Sequence, residues 1–154
     1  MSKSLFYAKN DYFCSRFQHL RMTPDQTTTS AFEPIRLRLR ENRSVRLTVR
    51  SDGMRPFLQK DRDAVVLSPV PADFAFRKGD VVALAHTDGF RLLRVMQAQG
   101  KELWLKEDAQ EKIEKISAPE IEAWVSCLQC ANGRRIRSRS ALWKFRSLRS
   151  RLFR

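Results

Sequence analysis

The sequence predicts a small mostly-β domain whose short sheets coil around one core, with a short N-terminal helix before it and a basic amphipathic helix after it. Three observations carry this expectation. Between residues 45 and 126, apolar and β-branched residues come in runs of four to seven, each closed by a turn signal. No long amphipathic helical pattern separates those runs. The chain has 154 residues, the length of one domain with little to spare for a second.

Taken in order, residues 1–29 mix aromatics (Phe6, Tyr7, Tyr12, Phe13, Phe17) with a polar run and show no clean period, so they read as a loosely attached arm. Ser30-Ala31-Phe32-Glu33 has capping-box spacing, and Phe32, Ile35 and Leu39 follow at helical offsets, which favours a short helix to about Glu41. Residues 35–40 also alternate with period two, leaving open a hairpin with residues 45–50 across Glu41-Asn42-Arg43-Ser44. Residues 45–50 are a strand under either reading. Further strands are expected at 64–67, 80–85, 90–96, 103–106 and 121–126. Pro69, Pro71, Lys78-Gly79-Asp80, Thr87-Asp88-Gly89 and Gln99-Gly100 supply the turns between them. The expected organisation is an arm at 1–29, a β domain at 30–130 and a basic amphipathic tail at 131–154.

Composition bounds the rest. Hydrophobic residues make up 42% and aromatics 10%, a globular balance, while the net charge of +13 calls for an anionic partner or surface. Residues 133–154 hold nine of the thirty basic residues and no acid. No stretch approaches the roughly 18–20 apolar residues of a membrane-spanning helix, and the first residues lack the apolar run of a secretory signal. A cytoplasmic protein, peripheral at the membrane at most, is therefore expected. Three cysteines exclude a full disulfide framework.

The most informative stretch is Val49-Arg50-Ser51-Asp52-Gly53-Met54-Arg55-Pro56-Phe57-Leu58. Three landmarks follow it: Lys78-Gly79-Asp80-Val81-Val82, Leu93-Arg94-Val95 and Glu107-Asp108-Ala109. In this order and spacing they resemble the signal peptidase I and LexA-like serine peptidases, over roughly residues 44–128. The corresponding landmarks there are Gly-x-Ser-Met-x-Pro, Gly-Asp-Val-Val, Lys-Arg-Val or His-Arg-Val, and Gly-Asp-x. The resemblance implies that family's coiled β fold and an extended substrate strand held against a cleft.

It also implies a lost reaction. The family's serine attacks the scissile carbonyl while a Lys or His on the paired strand takes its proton. Here Gly53 stands at the nucleophile position and Leu93 at the base position. Glycine has no side chain to attack with, and leucine accepts no proton. The Gly-Asp landmark has likewise become Glu107-Asp108. The resemblance therefore implies a pseudopeptidase that binds an extended peptide or protein segment near Val49, Ser51, Asp52, Gly53, Met54 and Pro56, through backbone groups that survive loss of the dyad.

Two alternatives remain from other classes. One is an active serine endopeptidase with a non-standard nucleophile. Its candidate is Ser51, which is displaced from position 53 by roughly 6.6 Å along a strand; His86 and His19 are solvated or hydrogen-bonded side chains before they are catalysts, and neither Lys101 nor Lys106 has a serine partner. The other is a basic adaptor for a membrane surface or, ranking lower, a nucleic acid. Cys127-Leu128-Gln129-Cys130 is half a zinc site at most, with Cys14, His19 and His86 the other available ligands, and Cys127 fits better as a small buried hydrophobe. No metal and no cofactor is expected.

In the tail, Ser140 is a credible N-cap. At 100° per residue Leu142, Phe145, Leu148 and Leu152 fall within an arc of about 120°, with Phe153 beside it and Arg149 pointing into it. Docking of this stripe on the domain is the first expectation, with the arginines in water. Contact with an anionic membrane ranks second and a nucleic-acid tail third. Arg134, Arg135, Arg137, Arg139, Lys144, Arg146, Arg149 and Arg151 are the candidate anion contacts.

Overall fold

A computed structural model describes residues 32–86 and 89–152, which places the expected arm and Ser30 outside the described residues. Helix α1 (Glu33–Arg40) opens the described chain, with Phe32 at its N-cap and Pro34 in its first turn. The capping-box expectation is thereby corrected: the helix starts at Glu33, and proline in the first turn forfeits only an N–H that has no intrahelical partner there. The hairpin alternative for residues 35–40 also falls. Asn42 takes a φ of 60°, Arg43 N–H donates to the Arg38 carbonyl (2.9 Å) and Asn42 N–H to the Leu39 carbonyl (3.1 Å). This is a Schellman closure with asparagine at the left-handed position, and it ends the helix where a hairpin would need an extended strand.

Eight strands follow: β1 (Val45–Thr48), β2 (Ala64–Ser68), β3 (Val81–His86), β4 (Gly89–Gln99), β5 (Glu102–Lys106), β6 (Ile113–Ser117), β7 (Ala123–Gln129) and β8 (Arg135–Arg137). A 3-10 turn (Ala118–Glu120) precedes β7, and helix α2 (Ala141–Leu152) closes the chain. All pairings are antiparallel, in the order β1-β2-β7-β3-β4-β5-β6, with β8 on β7. The expected several small sheets are thus one hydrogen-bonded sheet. β7 fits between β2 and β3, so a strand from late in the chain joins two early ones. Its other edge is shared: β3 pairs with its start at Ala123 and Trp124, and β8 with its end at residues 127–129.

Both faces of the central strands are buried. Val81, Ala83 and Leu92 enter a core with Met54, Phe57, Leu58, Val125 and α1's Ile35 and Leu39, while Val82, Leu93 and Val95 pack with Leu103, Leu105 and Ile121 on the opposite face. Near-continuous apolar runs in β3 and β4 follow from this two-sided burial.

The segment after residue 130 packs with the β domain. Ile136 of β8 and Trp143 of α2 lie in the first core. The Trp143 ring meets Phe57 edge to face with centroids 4.9 Å apart, and its Nε1 donates to the Gly79 carbonyl oxygen at 3.2 Å. Ser140 does cap the helix, its Oγ accepting from Trp143 N–H at 3.2 Å.

Three buried aspartates are each matched by an arginine. Arg94, 1% exposed, donates from Nε and Nη2 to the two carboxylate oxygens of Asp108 at 2.7 and 2.6 Å. Its Nη1 reaches Ser147 Oγ of α2 at 2.9 Å, and its guanidinium lies 4.4 Å from the Phe57 ring centre. Arg139 grips Asp80 at 2.9 and 2.7 Å, and Arg146 holds Asp63 at 2.7 Å. Removing one member of such a pair strands a buried charge, whereas replacing both with apolar groups does not. Arg94→Met is expected to lower stability by about 3–5 kcal/mol, and Arg94→Met/Asp108→Leu by clearly less. Equal losses in urea denaturation of the two proteins would assign Arg94's role to packing rather than charge compensation.

Candidate functional site

β1 leads into the loop that carries Ser51, Asp52, Gly53, Met54 and Pro56. Val49 N–H donates to the Asp63 carbonyl (2.9 Å) and the Val49 carbonyl accepts from Asp61 N–H (2.8 Å), so the loop leaves β1 still tied to the approach of β2. Met54, Phe57 and Leu58 then drop into the first core and anchor the turn from below. Asp63, held by Arg146, also accepts from Gln59 N–H at 3.0 Å. Between these anchors Ser51, Asp52 and Pro56 stay exposed and Gly53 is half-buried. Within the expected peptide-contact set, Val49 and Met54 turn their side chains into the core.

The loop after β5 closes over Gly53. Ala109 N–H donates to the Gly53 carbonyl at 2.8 Å, and the Glu107 carboxylate lies where a side chain at position 53 would begin. A Cβ on Gly53 would meet Glu107 Oε2 at 2.6 Å and Cδ at 2.9 Å. The backbone at Gly53 is outside the left-handed region, so what meets a side chain here is the far end of one flexible residue, Glu107, which would have to shift.

Glu107 is itself held. Arg91 of β4 donates to its Oε1 from Nε at 3.1 Å, and Gln110 Nε2 to its Oε2 at 2.9 Å. The same Arg91 reaches Glu114 of β6 through Nη2 at 3.0 Å and Nη1 at 3.4 Å. Hydrogen bonds from Arg91, and then its charge, hold the Glu114 carboxyl below the ordinary glutamate range against an opposing push from partial burial. Arg91 is correspondingly raised, first by its hydrogen bond to Glu114.

Leu93 lies two residues beyond Arg91, on the same face of β4 by strand alternation, and is fully buried in the second core. Positions 53 and 93 are thus filled in different ways. Position 53 is covered by a carboxylate from a neighbouring loop, and position 93 is sealed in hydrocarbon.

The remaining candidates are scattered. Ser51 is exposed in the loop, outside the Arg91–Glu107–Glu114 cluster. His86 ends β3. Lys106 pairs with Glu111 at 3.4 Å. Lys101 lines a groove of about 560 Å³ with Val70, Phe74, Phe76, Pro119 and Ile121, none of them in the Gly53 loop. Cys127 is buried in β7, and Cys130 Sγ accepts from Arg146 at 3.0 Å. His19 and Cys14 lie outside the described residues. Among the described residues no three His, Cys, Asp or Glu side chains are grouped to hold a metal ion.

Two of the expected anion contacts are structural: Arg139 and Arg146 bind Asp80 and Asp63. Arg134, Arg135, Arg137, Lys144 and Arg149 are exposed, and the Arg151 side chain lies outside what is described. Sequence reasoning missed Arg91, Gln110 and Glu114. The available signal was Arg91 at period two from Leu93, but β6 was not expected, and without it Glu114 had no place.

Comparison with protein-family models, curated proteins and solved structures finds no match in any of the three.

The depressed Glu114 carboxyl gives a pH test. Its folded value lies below its unfolded one, so the Arg91–Glu114 pair contributes stability above the ordinary glutamate range and loses it as pH falls toward the folded value. Both side chains are partly exposed, which limits the contribution to at most about 1 kcal/mol at neutral pH. Thermal melts between pH 7 and pH 3 are expected to fall more steeply for the wild type than for Glu114→Gln. Parallel curves would remove this pair as a source of acid sensitivity.

Proposed function

We propose that this chain is a catalytically inactive relative of the signal peptidase I and LexA-like serine peptidases, with the coiled β fold of that family, that binds an extended peptide or protein segment beside the Gly53 loop. The single observation that carries the reading is the Glu107 carboxylate lying against Gly53, in the space a nucleophilic side chain would use. The four sequence landmarks agree with it. Arg94 of the Leu-Arg-Val landmark pairs with Asp108 of the Glu-Asp landmark, so a landmark on β4 and one just after the neighbouring β5 meet through a buried ion pair.

Binding needs less than catalysis. β1 lies at one end of the strand order, and among the described residues no strand pairs with its outer edge. Val49 directs its N–H and carbonyl toward the β2 side, so by alternation the backbone groups of Thr48 and Arg46 face the open edge. An extended segment adding there would run directly into Ser51, Asp52 and Gly53, whose side chains or backbone are accessible.

Purified protein is expected to leave a complex peptide library uncut by mass spectrometry. Gly53→Ser/Leu93→Lys would face Glu107 and bury an ammonium in the second core, so the restored variant is made both with and without Glu107→Gly. Cleavage by the wild type that disappears in Ser51→Ala would overturn the reading in favour of an active peptidase.

Titration of an extended peptide is expected to move the amide resonances of Thr48 and residues 50–53. Shifts confined to α2 would count against this binding site.

A further inference from the structure

We propose that α2 is an interfacial anchor that lays the domain on an anionic lipid surface. The structure reverses the expected orientation of this helix. Trp143 and Ser147 turn inward to Phe57, Gly79 and Arg94, and Arg146 reaches in to Asp63. The stripe expected to dock is on the opposite side of the helix and faces solvent: Leu142 is 45% exposed, Phe145 64%, Leu148 56% and Leu152 72%. The exposed stripe is not a docking face left empty by a detached helix, because the other face is already held by ring packing, hydrogen bonds and an ion pair.

Four large apolar side chains in one arc form a patch of the kind that marks an interaction site. Its surroundings select the partner. Residues 133–154 carry nine basic residues and no acid; Arg139 and Arg146 are engaged by aspartates, while Lys144 on the helix and Arg134 before it are exposed. An apolar stripe in a segment whose only charges are cationic matches a surface that is hydrocarbon beneath and anionic above. A nucleic-acid backbone would use the cations but has no apolar layer for Leu142, Leu148 and Leu152. No described helix is long and apolar enough to cross a membrane, so the contact is one of lying on the surface. This inference does not depend on the peptide site.

The test is co-sedimentation of the full chain with sucrose-loaded vesicles of phosphatidylcholine and phosphatidylglycerol at 3:1, against phosphatidylcholine alone. Wild type is expected to sediment with the anionic vesicles, to bind the neutral ones more weakly, and to lose binding as salt rises. Phe145→Ser/Leu148→Ser removes only exposed side chains and is expected to keep the wild-type melting temperature while losing at least about tenfold in partitioning. Leu148→Glu serves as a second variant with the same expected direction. Failure of wild type to bind anionic vesicles overturns the proposal, as does binding unchanged in both stripe variants. Binding of duplex DNA without vesicle binding, or self-association abolished by the stripe variants without vesicle binding, also overturns it, in favour of a nucleic acid or a second copy.

Discussion

The buried guanidinium of Arg94 is the constraint on which the rest of the structure depends. It sits in β4 with almost no exposure, yet it touches the Asp108 carboxylate, the Gly79 carbonyl, the Ser147 hydroxyl and the Phe57 ring. A charge in that position costs several kcal/mol of desolvation unless its hydrogen-bonding capacity is used. Meeting that demand draws the loop after β5, the turn before β3, helix α2 and the Gly53 loop to one point. Arg139 and Arg146 repeat the device at Asp80 and Asp63, and together the three pairs close the domain at its C-terminal end.

The Gly53 site inherits its shape from this arrangement. Asp108 is fixed by Arg94, so the preceding residue, Glu107, is delivered to the Gly53 loop, where Arg91 and Gln110 hold its carboxylate. Gly53 and Glu107 are complementary: one lacks the side chain whose space the other takes. The missing side chain at position 53 and the carboxylate at position 107 are therefore one steric arrangement. Leu93 completes it from the far side by joining an apolar cluster in which a charged base would have no counter-ion.

The C-terminal helix shows why an amphipathic stripe does not by itself tell inside from outside. Leu142, Phe145, Leu148 and Leu152 make the better apolar face on paper, but Trp143 alone brings a large ring that both packs on Phe57 and finds an acceptor for its N–H. Arg146 and Ser147 flank it with groups that satisfy Asp63 and Arg94. Burial of those polar partners outweighs the burial of a few exposed leucines, because an unmatched buried charge is more costly than a solvated apolar side chain.

By itself the sequence determined the class and most of the elements. Period-two runs and turn residues located β1 to β5 and β7, because alternation and turn chemistry act within a few residues. The spacing of Phe32, Ile35 and Leu39 marked α1, and Ser140 marked the start of α2, since capping is equally local. Only the tertiary structure decided what depends on distant partners. β8 and β6 are short, charged strands with a weak local pattern, stabilised by the strands they pair with. The contact of Glu107 with Gly53, the matching of Arg94, Arg139 and Arg146 to buried aspartates, and the outward turn of the α2 stripe all join residues far apart in the chain. Charge pairing and burial are properties of spatial neighbours, and a linear pattern does not contain them.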